Sequence, residues 1–313
     1  MRVSSEASVH RLQRMHFDAT SPPRLVVSAE NFGDVVGDHV VGGRVLCPGA
    51  LYLHVAARAA ASAARTVRMR SVVFAAPLFV ATPGEAVALE AKPGSKGRFV
   101  VVSDAAAHLR GSYATPDATA TGGDGAATLG AARKRCSVAV DAVEVYVTFA
   151  ARGMGYGPTL RLLRDIRRSD AAAGSSAGGT AAAEAVARVD VAPLSGGCGP
   201  GDASTHPSIL DAAMQVVAVA VMDGGDAAAS RPMLPFMIQD LRIDGIGGVD
   251  AGTAGGALWA HARVTHRSRG AVRADVTVMR EGAPAPLVRM RGFALRAAAG
   301  VVGPRAAAAK KAP

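Results

Sequence analysis

The sequence predicts an α+β fold made of two similar halves, each an antiparallel sheet folded around one buried helix. Three observations predict it. Two helix candidates are apolar nearly all round, "PGALYLHVAARAAASAA" from Pro48 and "HPSILDAAMQVVAVAVM" from His206, and such helices are enclosed on most sides. Several segments alternate apolar and polar residues with the two-residue period of half-buried strands. A stretch rich in Gly, Ala and Thr, Gly111 to Arg135, divides the chain near its middle.

Both helix candidates begin at proline, whose missing N–H is no loss in a first turn. The clearest strand is "AVRADVTVMR", Ala271 to Arg280, where Val272, Ala274, Val276 and Val278 alternate with polar residues. "EGAP" then turns the chain. In "PLVRMRGFALRA" the apolar phase shifts at Gly292, which marks a bulge. "RFVVVSD", "VEVYVTFAA" and "ALWAHARVTH" read as further strands. A second interruption runs from Ala171 to Ala185, and the tail "GPRAAAAKKAP" reads as disordered.

At 313 residues the chain fits one large domain or two modest ones. Half of it is apolar but only 4% is aromatic, so Ala, Val and Leu must fill the core. The net charge of +10 is compatible with anionic partners. No basic run is interleaved with aromatics and no zinc-finger spacing occurs, which argues against nucleic acid. The densest basic cluster, Arg161 to Arg168, is either a solvated face or a docking patch for an acidic partner. Cys47, Cys136 and Cys198 are too few and scattered for a disulfide framework or a metal site. With no apolar leader and no stretch near 20 apolar residues, a cytoplasmic protein without membrane contact is expected.

Three stretches carry the residues suited to chemistry. His39 stands in "DHVVGGRVLCPGALYLHVA", before glycines and the Pro-Gly that opens the first helix. A base there would lie beside the unpaired N–H groups of a helix N-terminus, which can polarise a carbonyl. Taken alone, the spacing fits a histidine packed in a Gly-rich turn equally well. Asp211 interrupts an otherwise apolar helix, where a carboxylate is costly to desolvate and its pKa rises. Gln215 lies one turn on, able to hold that carboxyl. A first-turn acid satisfied only structurally remains open. "ARGMGYGPTL" forms a tight loop with Tyr156 at its centre, either a carboxyl partner or a core-capping turn residue.

In order, "HVVGGRVLCP" (His-x3-Gly-x4-Pro), "GYGP", "HPSILDAAMQ" (Asp-x3-Gln) and "MLPF" resemble the motifs of polyketide synthase dehydratase domains, from about residue 24 to 297. The resemblance implies a double hotdog fold. Residues 1–111 would form the N-terminal hotdog with the catalytic His, 112–135 a linker, 136–298 the C-terminal hotdog with the catalytic Asp, and 299–313 a disordered tail. It implies dehydration of a β-hydroxyacyl thioester to the enoyl thioester. His39 would be the base, Asp211 the acid, Gly43 the N–H donor to the thioester carbonyl, and Tyr156 and Gln215 the supports of Asp211. Pro48, Gly157, Pro158, Leu234, Pro235 and Phe236 would line the substrate tunnel. No metal or other cofactor is implied beyond the phosphopantetheine arm of an acyl carrier protein. The implied partners are that carrier and other polyketide synthase domains, with a homodimer left open. Two departures from the family pattern, Leu160 after the Gly-Pro and Ile238–Gln239 after "LPF", bear on tunnel shape. A product-template cyclase of the same fold and a catalytically silent carrier-binding module are the competing readings.

Overall fold

A computed structural model of the chain describes residues 24–27, 32–61, 65–81, 87–104, 106–116, 125–170, 182–194, 204–222, 231–246 and 256–298. The N-terminal 23 residues, the tail expected to be disordered, residues 171–181 of the second interruption and Cys198 lie outside the described residues.

The first half contains β1 (Arg24–Val27), α1 (Gly33–Gly37), β2 (His39–Val41), β3 (Arg44–Val45), α2 (Gly49–Ala60), β4 (Thr66–Phe74), β5 (Val87–Pro93), β6 (Arg98–Val102) and β7 (Ala107–Ala114). The second contains α3 (Gly125–Arg135), β8 (Val138–Val140), α4 (Ala142–Ala151), β9 (Met154–Tyr156), β10 (Leu163–Arg168) and β11 (Glu184–Val189). It continues with α5 (Pro207–Ala220), β12 (Met233–Asp244), β13 (Leu258–Ser268), β14 (Ala271–Arg280) and β15 (Val288–Ala297).

Twelve strands form one antiparallel sheet in the order β1-β5-β6-β7-β4-β12-β15-β14-β13-β11-β10-β8. Five come from the first half and seven from the second, joined at the β4–β12 ladder from Val73↔Met237 to Thr66↔Asp244. Helix α2 packs on β4 to β7, α5 packs on β10, β11, β13 and β14, and the two helices touch each other. This is the α+β double hotdog arrangement: two sheet-wrapped helices in one chain.

Sequence dictates the enclosure. Ala50 to Ala57 of α2 are all buried, Tyr52 and His54 included, and no residue faces solvent until Arg58. In α5 the buried set runs from Pro207 to Val217 and includes Asp211 and Gln215. Leu51, Leu53, Ile209 and Leu210 have no solvent exposure, and each such side chain stabilises the fold by about 2 kcal/mol on burial. Pro207 fills the first turn of α5 as expected, behind His206, whose Nδ1 accepts the Ser208 N–H at 3.2 Å. Pro48 is instead the capping residue of α2, one position before its first turn.

Strand β14 occupies Ala271–Arg280 with the alternation that predicts it. The bulge falls at Gly292: Ala274 pairs with Phe293 and Val276 with Met290, so Arg291 and Gly292 together face Asp275. Gly292 has φ +61° and donates its N–H to Asp275 Oδ1 at 2.8 Å.

"VEVYVTFAA" corrects the strand expectation, because it is helix α4. Asp141 caps it, accepting the N–H groups of Val143 and Glu144 at 2.7 and 3.1 Å. Val145, Tyr146 and Phe149 turn inward while Val143 and Val147 are exposed. A helical inward face with a cap overrides the β preference of the valines. The expected linker 112–135 also has structure at both ends: β7 runs to Ala114, and α3 spans Gly125–Arg135. Helix α3 is pinned by Arg135, whose guanidinium forks onto Glu184 at 2.8–3.1 Å, and by Arg133 over the Trp259 ring. Among the described residues, no helix is long and apolar enough to cross a membrane.

Candidate active site

A second, three-stranded sheet in the order β3-β2-β9 ties the two halves together. It pairs His39 with Tyr156, Val40 with Gly155 and Val41 with Met154. The first and second sequence motifs are therefore adjacent strands. Beyond the ladder, Gly157 donates its N–H to the Asp38 carbonyl at 2.7 Å, and Thr159 gives both its N–H and its hydroxyl to Asp38 Oδ2 at 2.7 Å. A methyl at position 157 would sit 2.0 Å from Asp38 Oδ1, so only glycine permits this closure.

His39 is buried, and its Nδ1 lies 2.7 Å from the Leu46 carbonyl. A carbonyl can only accept, so Nδ1 carries a hydrogen, and in the neutral ring Nε2 is the nitrogen with the lone pair. Asp211 comes from the other half, in the second turn of α5. Its carboxyl is pushed above the usual carboxylate range by burial, partly offset by the charge of His39 and by the hydrogen bond from Gln215. That bond, Gln215 Nε2 to Asp211 Oδ2, measures 2.7 Å. The same Nε2 donates to the Leu160 carbonyl at 3.1 Å.

His39, Asp211, Gln215 and Tyr156 all line one cavity of about 660 Å³. Its walls are mainly apolar, from Leu46, Phe74, Phe149 and Met214 among others. Burial and the charge of Asp211 push the Tyr156 phenol well up, which keeps it a neutral donor. Among the described residues Tyr156 makes no hydrogen bond to Asp211; its ring packs near His39, Tyr146 and Phe149. Burial pushes the Cys47 thiol up to about 12, so this wall residue is no nucleophile.

The tunnel residues divide. Leu234 and Pro235 line the cavity; Pro48, Gly157, Pro158 and Phe236 do not. The β12–β15 register shifts between Pro235 and Met237, and Phe236 lies under the Arg296 guanidinium, 3.5 Å from its ring centre. Gly157 is occupied with Asp38, and Pro48 leaves the wall to its neighbours Cys47 and Gly49. Gly43 is exposed at the tip of the β2–β3 turn with φ +80° and does not line the cavity. Gly49, the first residue of α2, does line it.

Two contributors were not predicted. Asp38 holds the loop, and Tyr146 of α4 donates to Gln215 Oε1 at 3.2 Å. The reading of residues 143–151 as a strand concealed Tyr146, while the Asp directly before His39 was the available signal for the other. The Arg161–Arg168 cluster is turned largely on its own chain. Arg161 donates to the Tyr156 carbonyl, Arg164 to those of Arg161 and Leu163, and Arg168 to that of Met222. The arginines that line the cavity are others: Arg152, Arg231, Arg267 and Arg269.

Residues 27–104 match the family described as polyketide synthase dehydratase domain, and residues 124–305 that described as polyketide synthase dehydratase N-terminal domain. Over an alignment of 321 positions that covers 94% of this chain, it is 25% identical to polyketide synthase PksN of Bacillus subtilis. Over an alignment of 263 positions that covers 79% of this chain, it is 28% identical to polyketide synthase ThaG of Burkholderia thailandensis. It spans only about 5% and 4% of those two proteins. In fold it is similar to the dehydratase domain from the CurF module of curacin polyketide synthase, with a TM-score of 0.68, 18% identity, and coverage of 88% of this chain and 92% of that one. A dehydratase domain of a trans-AT polyketide synthase from Brevibacillus brevis gives a TM-score of 0.69 at 22% identity, covering 90% and 95%. A histidine and a carboxyl brought together from two hotdog halves thus occur in a chain that belongs to the polyketide synthase dehydratase family.

Proposed function

We propose that this chain dehydrates a β-hydroxyacyl thioester, carried on the phosphopantetheine arm of an acyl carrier protein, to the α,β-enoyl thioester. The observation that carries the reading is the single apolar cavity lined by His39 from one half and Asp211 from the other. His39 Nε2 removes the α-proton. The electron pair forms the Cα–Cβ double bond as the Cβ–O bond breaks, and the neutral Asp211 carboxyl protonates the departing hydroxyl to give water. An α-proton beside a thioester is weakly acidic, so the base must be fixed in place, and the Leu46 carbonyl fixes it. Hydroxide is a poor leaving group, so the acid must be protonated, and burial of Asp211 favours that form. The thioester carbonyl is polarised by the α2 N-terminus at Gly49, the role expected for Gly43.

Apolar walls keep bulk water from reversing the reaction. The chemistry calls on no metal or nicotinamide. The relatives are far longer than this chain, and the remaining polyketide synthase domains are the natural source of the substrate. The arginines on the cavity wall suit an acidic carrier and its phosphorylated arm.

Incubation of the purified protein with a 3-hydroxyacyl carrier thioester tests the reading. Enoyl product lost in His39→Ala and in Asp211→Asn is expected. Cyclised polyketone in its place would favour a product-template activity. No product, or turnover in the parent assembly unchanged by both variants, would mean a silent module.

A further inference from the structure

We infer that Tyr146 is a positioning residue that fixes which oxygen of Asp211 carries the acidic proton; the inference rests on the dehydratase reading. The phenol sits in a chain whose directions are set by backbone groups. Leu163 N–H donates to Tyr146 Oη at 3.1 Å, and the phenol's own hydrogen has two acceptors, Gln215 Oε1 at 3.2 Å and the more distant Leu160 carbonyl at 3.5 Å, of which the amide oxygen is the nearer. On the far side of the amide, Gln215 Nε2 gives one hydrogen to the Leu160 carbonyl at 3.1 Å and the other to Asp211 Oδ2 at 2.7 Å. Tyr146, Gln215 and Asp211 are all buried.

A flipped amide would set Oε1 against the Leu160 carbonyl at 3.1 Å and would leave the Tyr146 hydroxyl only the Leu160 carbonyl at 3.5 Å as acceptor. Unmade hydrogen bonds in a buried site are costly, so the amide has one orientation. Asp211 Oδ2 is then an acceptor, and the proton of the neutral acid resides on Oδ1, the oxygen left for the leaving hydroxyl. The hydrogen bond to Oδ2 also favours the carboxylate, which restrains the rise in pKa that burial causes. Without the phenol only the Leu160 carbonyl still opposes the turned amide, and the turned state gains population. Oε1 then faces Asp211 and accepts a proton placed on Oδ2, away from the substrate, and the charged form loses its donor.

The test is Tyr146→Phe, read in three ways. In the pH profile of kcat, the limb set by loss of the Asp211 proton moves to higher pH while the plateau falls about tenfold, a fraction of the roughly 10²–10⁴-fold that a general acid contributes, with KM little changed. Titration of the Asp211 carboxyl by carbon-13 NMR shows the same upward shift without need of turnover, so the lock is readable even if the chain is not a dehydratase. In a Gln215→Ala background, Tyr146→Phe has no further effect. An unmoved limb and carboxyl titration, or losses that add in the double variant, would overturn the inference. If Tyr146→Phe does not fold, fluorotyrosine placed at position 146, a stronger donor of nearly the same shape, must lower the plateau no more than twofold and leave the carboxyl titration at or below its original position; an upward shift there overturns it too.

Discussion

His39 and Tyr156 are direct partners across the β2–β9 ladder, although one belongs to each hotdog half. Their register is held by a clamp just beyond the ladder, where Asp38 accepts from Gly157 and Thr159. Gly157→Ala would push a methyl into Asp38 Oδ1 and lift the loop from the histidine strand. The expected outcome is a loss of about 1–3 kcal/mol in stability, as for other overpacked sites, with kcat reduced more than KM is raised. Asp38→Asn keeps an acceptor for Thr159 and should cost less than Gly157→Ala in both thermal melts and turnover.

Asp211 and His39 should part company in their effect on stability. Asp211 has a folded-state pKa above its unfolded value, so its burial favours the fold at low pH and that favour is lost as pH rises through the folded value. At pH 7 the carboxyl is a liability to the fold. Asp211→Asn removes it, keeps the shape and keeps an oxygen for Gln215. The variant should melt higher than the parent at pH 7 while enoyl formation falls about 10²–10⁴-fold, the range for loss of a general acid. His39→Ala should lose activity comparably but melt lower, because it leaves the Leu46 carbonyl without its donor.

A buried histidine pair sets the acid limit of the fold. Burial holds His54 down to about 3 and His206 to about 4, from an ordinary value of 6.5. His54 Nδ1 lies 2.9 Å from the Thr205 carbonyl, and both rings meet the edge of Phe32 at the contact of α2 with the α5 cap. Above pH 6.5 both rings are neutral, folded or not. As pH falls from 6.5 towards 4, only the unfolded chain takes up these protons, so stability drops. Glu184, held down to about 2 by His261 and Arg135, adds its loss only below about 4.5. The gain from Asp211 opposes part of this decline, so denaturant midpoints should fall from pH 6.5 downward more steeply in Asp211→Asn than in the parent, and His54→Gln should flatten the upper part of the fall.

The reach of the sequence follows from which forces leave a local trace. Asp211 was legible because a carboxylate in "PSILDAAMQ" contradicts its neighbours, and Gln215 because helix geometry puts it one turn away. Strand β14 and the Gly292 bulge were legible from period and phase. Tyr146 was not, since a valine-rich run reads as strand until the Asp141 cap is weighed against it. The cavity wall was only half legible. Leu234 and Pro235 reach it, but the register shift beside Phe236 turns that ring out under Arg296, and no local pattern announces a shift set by the partner strand. Motif position points to Gly43, while Gly49, where α2 begins, is the residue that lines the cavity.

Charge at the cavity should matter only for a carrier-bound substrate. Arg231 and Arg269 are exposed and line the cavity together with Arg152 and Arg267, and Asp211 is the only carboxylate among its described lining residues. Attraction between exposed charges is screened over about 8 Å at physiological salt. The rate on an acidic carrier should therefore fall as salt rises from low to physiological levels, while the rate on a small thioester mimic with no phosphate should stay flat. Arg231→Glu and Arg269→Glu should each slow the carrier-bound reaction about tenfold, the scale of electrostatic steering, and reduce its salt dependence, leaving the mimic untouched. The Arg161–Arg168 cluster gives the control. Its guanidiniums are largely engaged with backbone carbonyls, so Arg164→Gln should lower the melting temperature without changing the salt response of either substrate.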